Sequence, residues 1–166
     1  MRPIFYRVGT PTDGWFAVMG RPVAGEYADE EFSALANAGF SRVVSLLESS
    51  EAFELGLDAE AELCSSAGMT FTSMPIPDRG VPASTADFRN LSRSIYQRTA
   101  EGEHTAIHCR AGIGRSGLLA AAVLLHHGLN AEEAFSSVSN SRGLEVPDTP
   151  EQVQWLIHHE HTIRNG

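Results

Sequence analysis

Lysine is absent from the 166 residues; all 12 basic residues are arginine. Every basic group is therefore a planar fork of donors rather than a compact ammonium. Positive charge is also in short supply. Against 21 acidic residues it leaves a net charge of −9, which argues against non-specific binding to nucleic acid or an anionic membrane. Cysteine occurs only at Cys64 and Cys109, too few for a disulfide framework or a cysteine-based zinc site. Long hydrophobic runs are missing: the longest, residues 118–125, falls far short of the ~20 that span a bilayer. The opening MRPIFYRVGT holds no apolar run of signal-peptide length. The expectation is a soluble protein of the reducing cytoplasm with no nucleic-acid or membrane partner. Hydrophobic residues at 42% and charged residues at 20% exclude disorder and fibre, and the length suits one domain.

Short β-type runs at 4–8 and 15–19, with a turn-rich stretch between them, predict a hairpin. Residues 29–38 predict a helix stopped by Gly39, and 42–47 a buried strand. Residues 51–67 predict a helix weakened by Gly56, and 69–74 a strand. Residues 75–82 hold three prolines and a glycine and exclude regular structure. Ser84, with Asp87 three positions on, starts a helix that runs to about Ala100 in a capping-box-like pattern. A strand at 104–108 and a loop at 109–115 follow, then helices at 116–127, 131–140 and 150–163. Strands alternating with helices predict an α/β fold, a three-layer domain whose central, mostly parallel sheet is flanked by helices.

One segment stands apart: His108-Cys109-Arg110-Ala111-Gly112-Ile113-Gly114-Arg115-Ser116-Gly117, between a predicted strand and a predicted helix. Gly112 and Gly114 let the backbone curl and approach a ligand closely. Such a loop can turn successive N–H groups inward as a nest for an anion, and the helix behind it adds its positive end. Arg115 can grip two oxygens of a tetrahedral phosphate. The same field favours Cys109 as the thiolate. An anion cradle, formed by Arg110, Ala111, Gly112, Ile113, Gly114 and Arg115 over a nucleophilic sulfur, suits cleavage of a phosphate ester.

These residues resemble the signature of the cysteine-based protein tyrosine phosphatases, and the chain length points to the small dual-specificity branch. The resemblance runs from about Arg21 onward. Its second strong part, Pro75-Ile76-Pro77-Asp78-Arg79-Gly80-Val81-Pro82, is similar to the mobile general-acid loop of the cyclin-dependent-kinase-associated phosphatases and their small prokaryotic relatives. The resemblance implies one phosphatase catalytic domain over residues 1–166, working as a monomer on a phosphorylated protein or peptide, with no metal and no cofactor. It implies Cys109 as nucleophile, Arg115 as phosphate clamp, Asp78 as general acid and Ser116 as hydrogen-bond donor to the sulfur. It gives His108 a supporting role beneath the loop, and it places a water-orienting Gln near Gln152. The residues themselves also read Thr149-Pro150-Glu151-Gln152 as a helix cap, so both roles stand for Gln152. Asp78, between Pro77 and Gly80, also suits a turn.

Other residues carry plainer expectations. Arg79 either touches substrate or anchors its loop, and Arg142 either approaches the pocket or ends a solvated helix. His126, His127, His158, His159 and His161 read as surface residues without a metal-ligand spacing. Glu48, Glu51 and Glu54 read as a solvated face, Trp15 and Phe16 as core, and Cys64 as a buried small apolar residue or a redox partner of Cys109. Ile113, where phosphoinositide enzymes of the superfamily often carry a basic group, favours a protein substrate, while Arg110 keeps the lipid reading open. The alternatives are a phosphatase for a phosphoinositide, nucleotide or RNA 5′-phosphate, and a non-catalytic phosphate-binding module. A cysteine-loop sulfurtransferase would leave Asp78 without a task.

Overall fold

A computed structural model describes residues 2–166, so only Met1 of the expected 1–166 domain lies outside it. Strands β1 (Tyr6–Gly9), β2 (Trp15–Met19), β3 (Phe40–Ser45), β4 (Thr70–Ser73) and β5 (His104–His108) form one sheet in the order β1-β2-β5-β3-β4. The β1–β2 pair is the antiparallel hairpin the sequence predicts, and the other three pairs are parallel. The helices are α1 (Ala28–Asn37), α2 (Ser49–Glu54), α3 (Glu60–Ser66), α4 (Thr85–Ala100), α5 (Gly114–Leu125), α6 (Ala131–Arg142) and α7 (Pro150–Asn165).

Side chains alternate across a strand, and the central strands use this to separate two cores. Val18, Val44 and Ile107 join the larger one with residues of α4, α5, α6 and α7. Ala17, Val43 and Ala106 join Phe32 and Leu35 of α1 and Cys64 of α3 in the smaller one. This is the expected α/β arrangement of a mostly parallel sheet between helical layers. It also parts the two cysteines, because Cys109 belongs to the first core and Cys64 to the second. A direct disulfide between them does not fit this placement. Burial pushes the Cys64 thiol up to about 12, with the Glu60 charge adding to it.

Helix α5 explains how the loop before it is held. Every residue from Arg115 to Leu125 is buried. A helix apolar on all sides must sit inside the fold, and each fully buried leucine contributes about 2 kcal/mol. Its first turn is thus fixed at the carboxyl end of β5.

Several expectations change in the structure. The single helix over 51–67 is two short ones, α2 and α3. Gly56, at φ 72°, ends the first, and Leu57 donates its N–H back to the Ala52 carbonyl while burying its side chain. Ser84 caps α4 by accepting the Asp87 N–H at 3.1 Å, but the Asp87 side chain does not complete a box. His126 and His127 are half-buried between α4 and α5 rather than on the surface. His126 Nε2 lies 2.8 Å from Ser92 Oγ, and both imidazoles pack against Tyr96. Phe16 is core as expected; Trp15 is only half-buried, stacked on His104 at 3.8 Å between ring centres. Among the described residues, no helix is long and apolar enough to cross a membrane.

Candidate active site

The segment 109–113 joins β5 to α5, and its backbone is fixed from outside. Gly112 adopts φ 73°, and a Cβ there would lie 2.5 Å from the carbonyl carbon of Met19. Only glycine satisfies both conditions. The Arg110 carbonyl accepts the N–H of Arg21 at 3.1 Å. Arg142 donates Nε to the Gly112 carbonyl at 3.0 Å and Nη2 to the Ala111 carbonyl at 3.2 Å. A trans peptide is planar, so each tied carbonyl turns the following N–H the opposite way. The N–H groups of Ala111, Gly112 and Ile113 therefore face away from these ties. No side chain caps the N-terminus of α5, whose first amides stand beside them.

Cys109 is 3% exposed at the foot of this loop, and Ser116 donates its hydroxyl to the sulfur at 3.0 Å. His108 is buried beneath it. The imidazole Nδ1 lies 3.2 Å from the Cys109 carbonyl oxygen, and Nε2 lies 2.5 Å from a carboxylate oxygen of buried Glu60. A cavity of about 250 Å³ opens above, lined by Asp78, Cys109, Arg110, Ala111, Ile113 and Arg115 among others. The structure thus brings together residues that the sequence separates by more than thirty positions.

Arg115 is held by hydrogen bonds on several sides. It is 2% exposed, and it donates Nη1 to Glu51 Oε1 at 2.7 Å and to the Ile76 carbonyl at 2.9 Å. Its Nη2 donates to Glu51 Oε2 at 2.9 Å and to Asp78 Oδ1 at 3.2 Å. Burial alone would make this cation easier to deprotonate. Glu51, Cys109 and Asp78 reverse that and leave it firmer than an ordinary arginine. Glu51 in turn is held down to about 2, chiefly by its hydrogen bond to Arg115. Glu51 is therefore no part of a solvated face: it is 8% exposed and also accepts Arg110 Nε at 3.3 Å. Glu48 and Glu54 are exposed as expected.

Asp78 stands on the irregular segment between β4 and α4, with its side chain 60% exposed at the cavity rim. The segment continues the parallel ladder briefly, as Ile76 donates its N–H to the Leu46 carbonyl. It then closes a turn from Pro77 to Gly80, in which Arg79 takes φ 60°. Two ties hold that turn. Arg79 Nη1 pairs with Asp148 Oδ2 at 2.8 Å, and Gln152 Nε2 donates to the Gly80 carbonyl at 3.0 Å. Arg79 thus anchors its own loop. Gln152, fully buried, also closes the capping box with Thr149 and accepts the Asp148 N–H. Its amide is engaged at both ends. Arg142, the other basic residue with two readings, buttresses the loop. Among the described residues, no three histidine, cysteine or acidic side chains converge as metal ligands would.

Glu51 and Glu60 are the site residues that sequence reasoning missed. A signal for one of them exists: a buried arginine behind an apolar helix demands a carboxylate partner. A family model described as polymorphic toxin system, DSP-PTPase phosphatase matches residues 17–129. The structure is similar to that of a kinase associated phosphatase carrying serine for its catalytic-site cysteine, with TM-score 0.88, 18% identity, and 99% and 97% of the two chains covered. It is similar to Tk-PTP in the active form, with TM-score 0.71, 30% identity, and 89% and 90% covered. It is also similar to PTPMT1, with TM-score 0.77, 21% identity, and 96% of each chain covered.

Proposed function

Because this chain belongs to the DSP-PTPase phosphatase family, we propose that it hydrolyses phosphotyrosine, and also phosphoserine and phosphothreonine, in proteins through a cysteinyl-phosphate. The observation that carries the reading is the convergence on one cavity of the Cys109 sulfur, the Ser116 hydroxyl 3.0 Å from it, buried Arg115, and Asp78 3.2 Å from Arg115.

In the first step the Cys109 thiolate attacks phosphorus as the ester oxygen departs. Arg115 and the amides of the 109–114 loop hold the three remaining oxygens. Asp78 gives its proton to the leaving phenolate or alkoxide. In the second step the Asp78 carboxylate takes a proton from water, and the water oxygen attacks phosphorus. The S–P bond breaks, inorganic phosphate forms, and Ser116 stabilises the thiolate that leaves. His108 and Glu60 hold the Cys109 carbonyl and with it the sulfur's position. The amide of Gln152, held by the Gly80 carbonyl and the Asp148 N–H, supports its capping role and the bracing of the Asp78 loop over a water-orienting one. The positive charge comes from Arg115 and the backbone, so no metal takes part.

A protein substrate is supported by Ile113, an apolar side chain lining the cavity where a second headgroup phosphate would call for a basic one. The test is hydrolysis of p-nitrophenyl phosphate and of phosphotyrosine and phosphothreonine peptides without added metal, beside a short-chain phosphoinositide. Cys109→Ser is expected to lower every rate by more than about a thousandfold. Full activity in that variant, or turnover of the phosphoinositide alone, would refute the reading.

A further inference from the structure

A second groove, of about 380 Å³, lies across the phosphate loop from the cavity over Cys109. Ala111 lines both, so the two are neighbours on either side of one residue. The groove has an apolar floor from Tyr6 and Met19, and Ile4 stands 72% exposed at its edge. Three arginines, Arg2, Arg21 and Arg142, surround that floor.

The charge of this groove runs against the charge of the chain. Arg142 is spent on the loop carbonyls and on the Tyr6 ring, 4.1 Å beneath its guanidinium. Arg2 and Arg21 are exposed, and among the described residues neither has a carboxylate partner. The one acidic side chain in the lining, Glu31, is 8% exposed and already accepts the Val23 N–H at 2.7 Å. In a protein of net charge −9, two unpaired guanidinium groups beside the reacting loop form a field of the opposite sign.

We infer that this groove binds the acidic flank of a phosphopeptide, with Arg2 and Arg21 meeting aspartate or glutamate side chains next to the phosphorylated residue. The inference rests on the protein-substrate reading above and deepens it. The apolar floor takes the aliphatic part of the flanking residues while the rim takes their charge. A peptide reaches both cavities at once, because its phosphorylated side chain enters one and its backbone continues over Ala111 into the other. Arg2 and Arg21 act on specificity and touch none of the reacting atoms.

The test compares phosphotyrosine peptides whose flanks, on each side in turn, carry either Asp/Glu or Ser/Gln, with p-nitrophenyl phosphate as a substrate that has no flank. The native protein is expected to favour one acidic peptide by about fivefold in kcat/KM, through KM, and to lose that preference at high salt. Arg2→Gln/Arg21→Gln changes side chains only and keeps the main-chain N–H that Arg21 gives to the Arg110 carbonyl, so it is expected to abolish the preference while leaving p-nitrophenyl phosphate hydrolysis unchanged. Arg21→Glu is expected to shift it toward a lysine flank. Equal rates on all peptides, or a preference that survives in the double variant, would overturn the inference and leave the protein-substrate reading intact. Hydrolysis of p-nitrophenyl phosphate with no turnover of any peptide would overturn both. A short-chain phosphoinositide turned over faster than every peptide, and slowed by the double variant, would give the groove to a headgroup instead.

Discussion

Glu51 and Arg115 meet end to end, with Oε1 2.7 Å from Nη1 and Oε2 2.9 Å from Nη2. The pair is buried, 64 residues apart in sequence, and it fixes the guanidinium with one edge of Nη2 turned toward Asp78 and the cavity. A planar, bidentate partner sets orientation as well as charge.

Glu51→Ala leaves Arg115 charged and without its carboxylate. The expected cost is about 3 kcal/mol of stability, with kcat/KM for an aryl phosphate lowered by more than about tenfold. Sulfate or phosphate can enter the cup and pair with the orphaned cation, so either anion restores part of the loss. Urea unfolding midpoints measured with and without sulfate check this; equal losses in both conditions would contradict it.

Acid should weaken the fold in two windows. His126 is pushed from 6.5 down to about 4 by burial, with Arg93, His127 and Arg89 adding repulsion. The unfolded chain takes up that proton more readily, so stability is full above about 6.5 and declines as pH falls toward 4. Glu51 is depressed from 4.5 to about 2, so its contribution is present above 4.5 and is lost as pH falls through about 2. Denaturant midpoints between pH 7 and pH 4.5 should be flatter in His126→Gln than in the native chain.

Asp78→Ala should slow hydrolysis of an alkyl phosphate by about a hundredfold and that of an activated aryl phosphate far less. A nitrophenolate leaves without a proton, whereas an alkoxide does not. Rates on a series of aryl phosphates of rising leaving-group pKa should therefore show a steeper dependence in the variant. An unchanged slope would remove Asp78 from the role.

Gly112→Ala and Gly128→Ala place the same methyl group at positive φ in very different surroundings. At Gly112 the new Cβ lies 2.5 Å from the Met19 backbone, whereas at Gly128 nothing lies within 4 Å. Alanine at 128 should cost about 1 kcal/mol of backbone strain with full activity, and alanine at 112 should remove most of the activity. Melting temperatures and initial rates for the pair separate the two effects.

The loop was legible because its chemistry is dense in sequence: Cys109, two glycines, Arg115 and Ser116 fall within the connection after β5 and the first turn of α5. The hairpin, the parallel strands and the apolar run 118–125 of α5 were legible for a similar reason, since period and turn residues are local signals. The partners of that loop were not. Glu51 and Glu60 lie in a stretch whose alanine, leucine and glutamate content reads as one amphipathic helix. The break at Gly56 goes with the tertiary burial of Leu57, and Glu51, in the first turn of α2, faces inward to an arginine 64 residues away. Likewise nothing local distinguishes Arg142, tied to two carbonyls, from a charged residue at any helix end. The half-burial of His126 depends on Ser92, on another helix.

Arg79 and Gly80 are fastened to Asp148 and Gln152, so the segment bearing Asp78 is tied to the entrance of α7. Chemistry proposed for the middle of the chain thus leans on residues near the far end. The entrance to α7 also packs against Gly114, so a change at this one junction would reach both the cradle and the loop that carries the proposed acid.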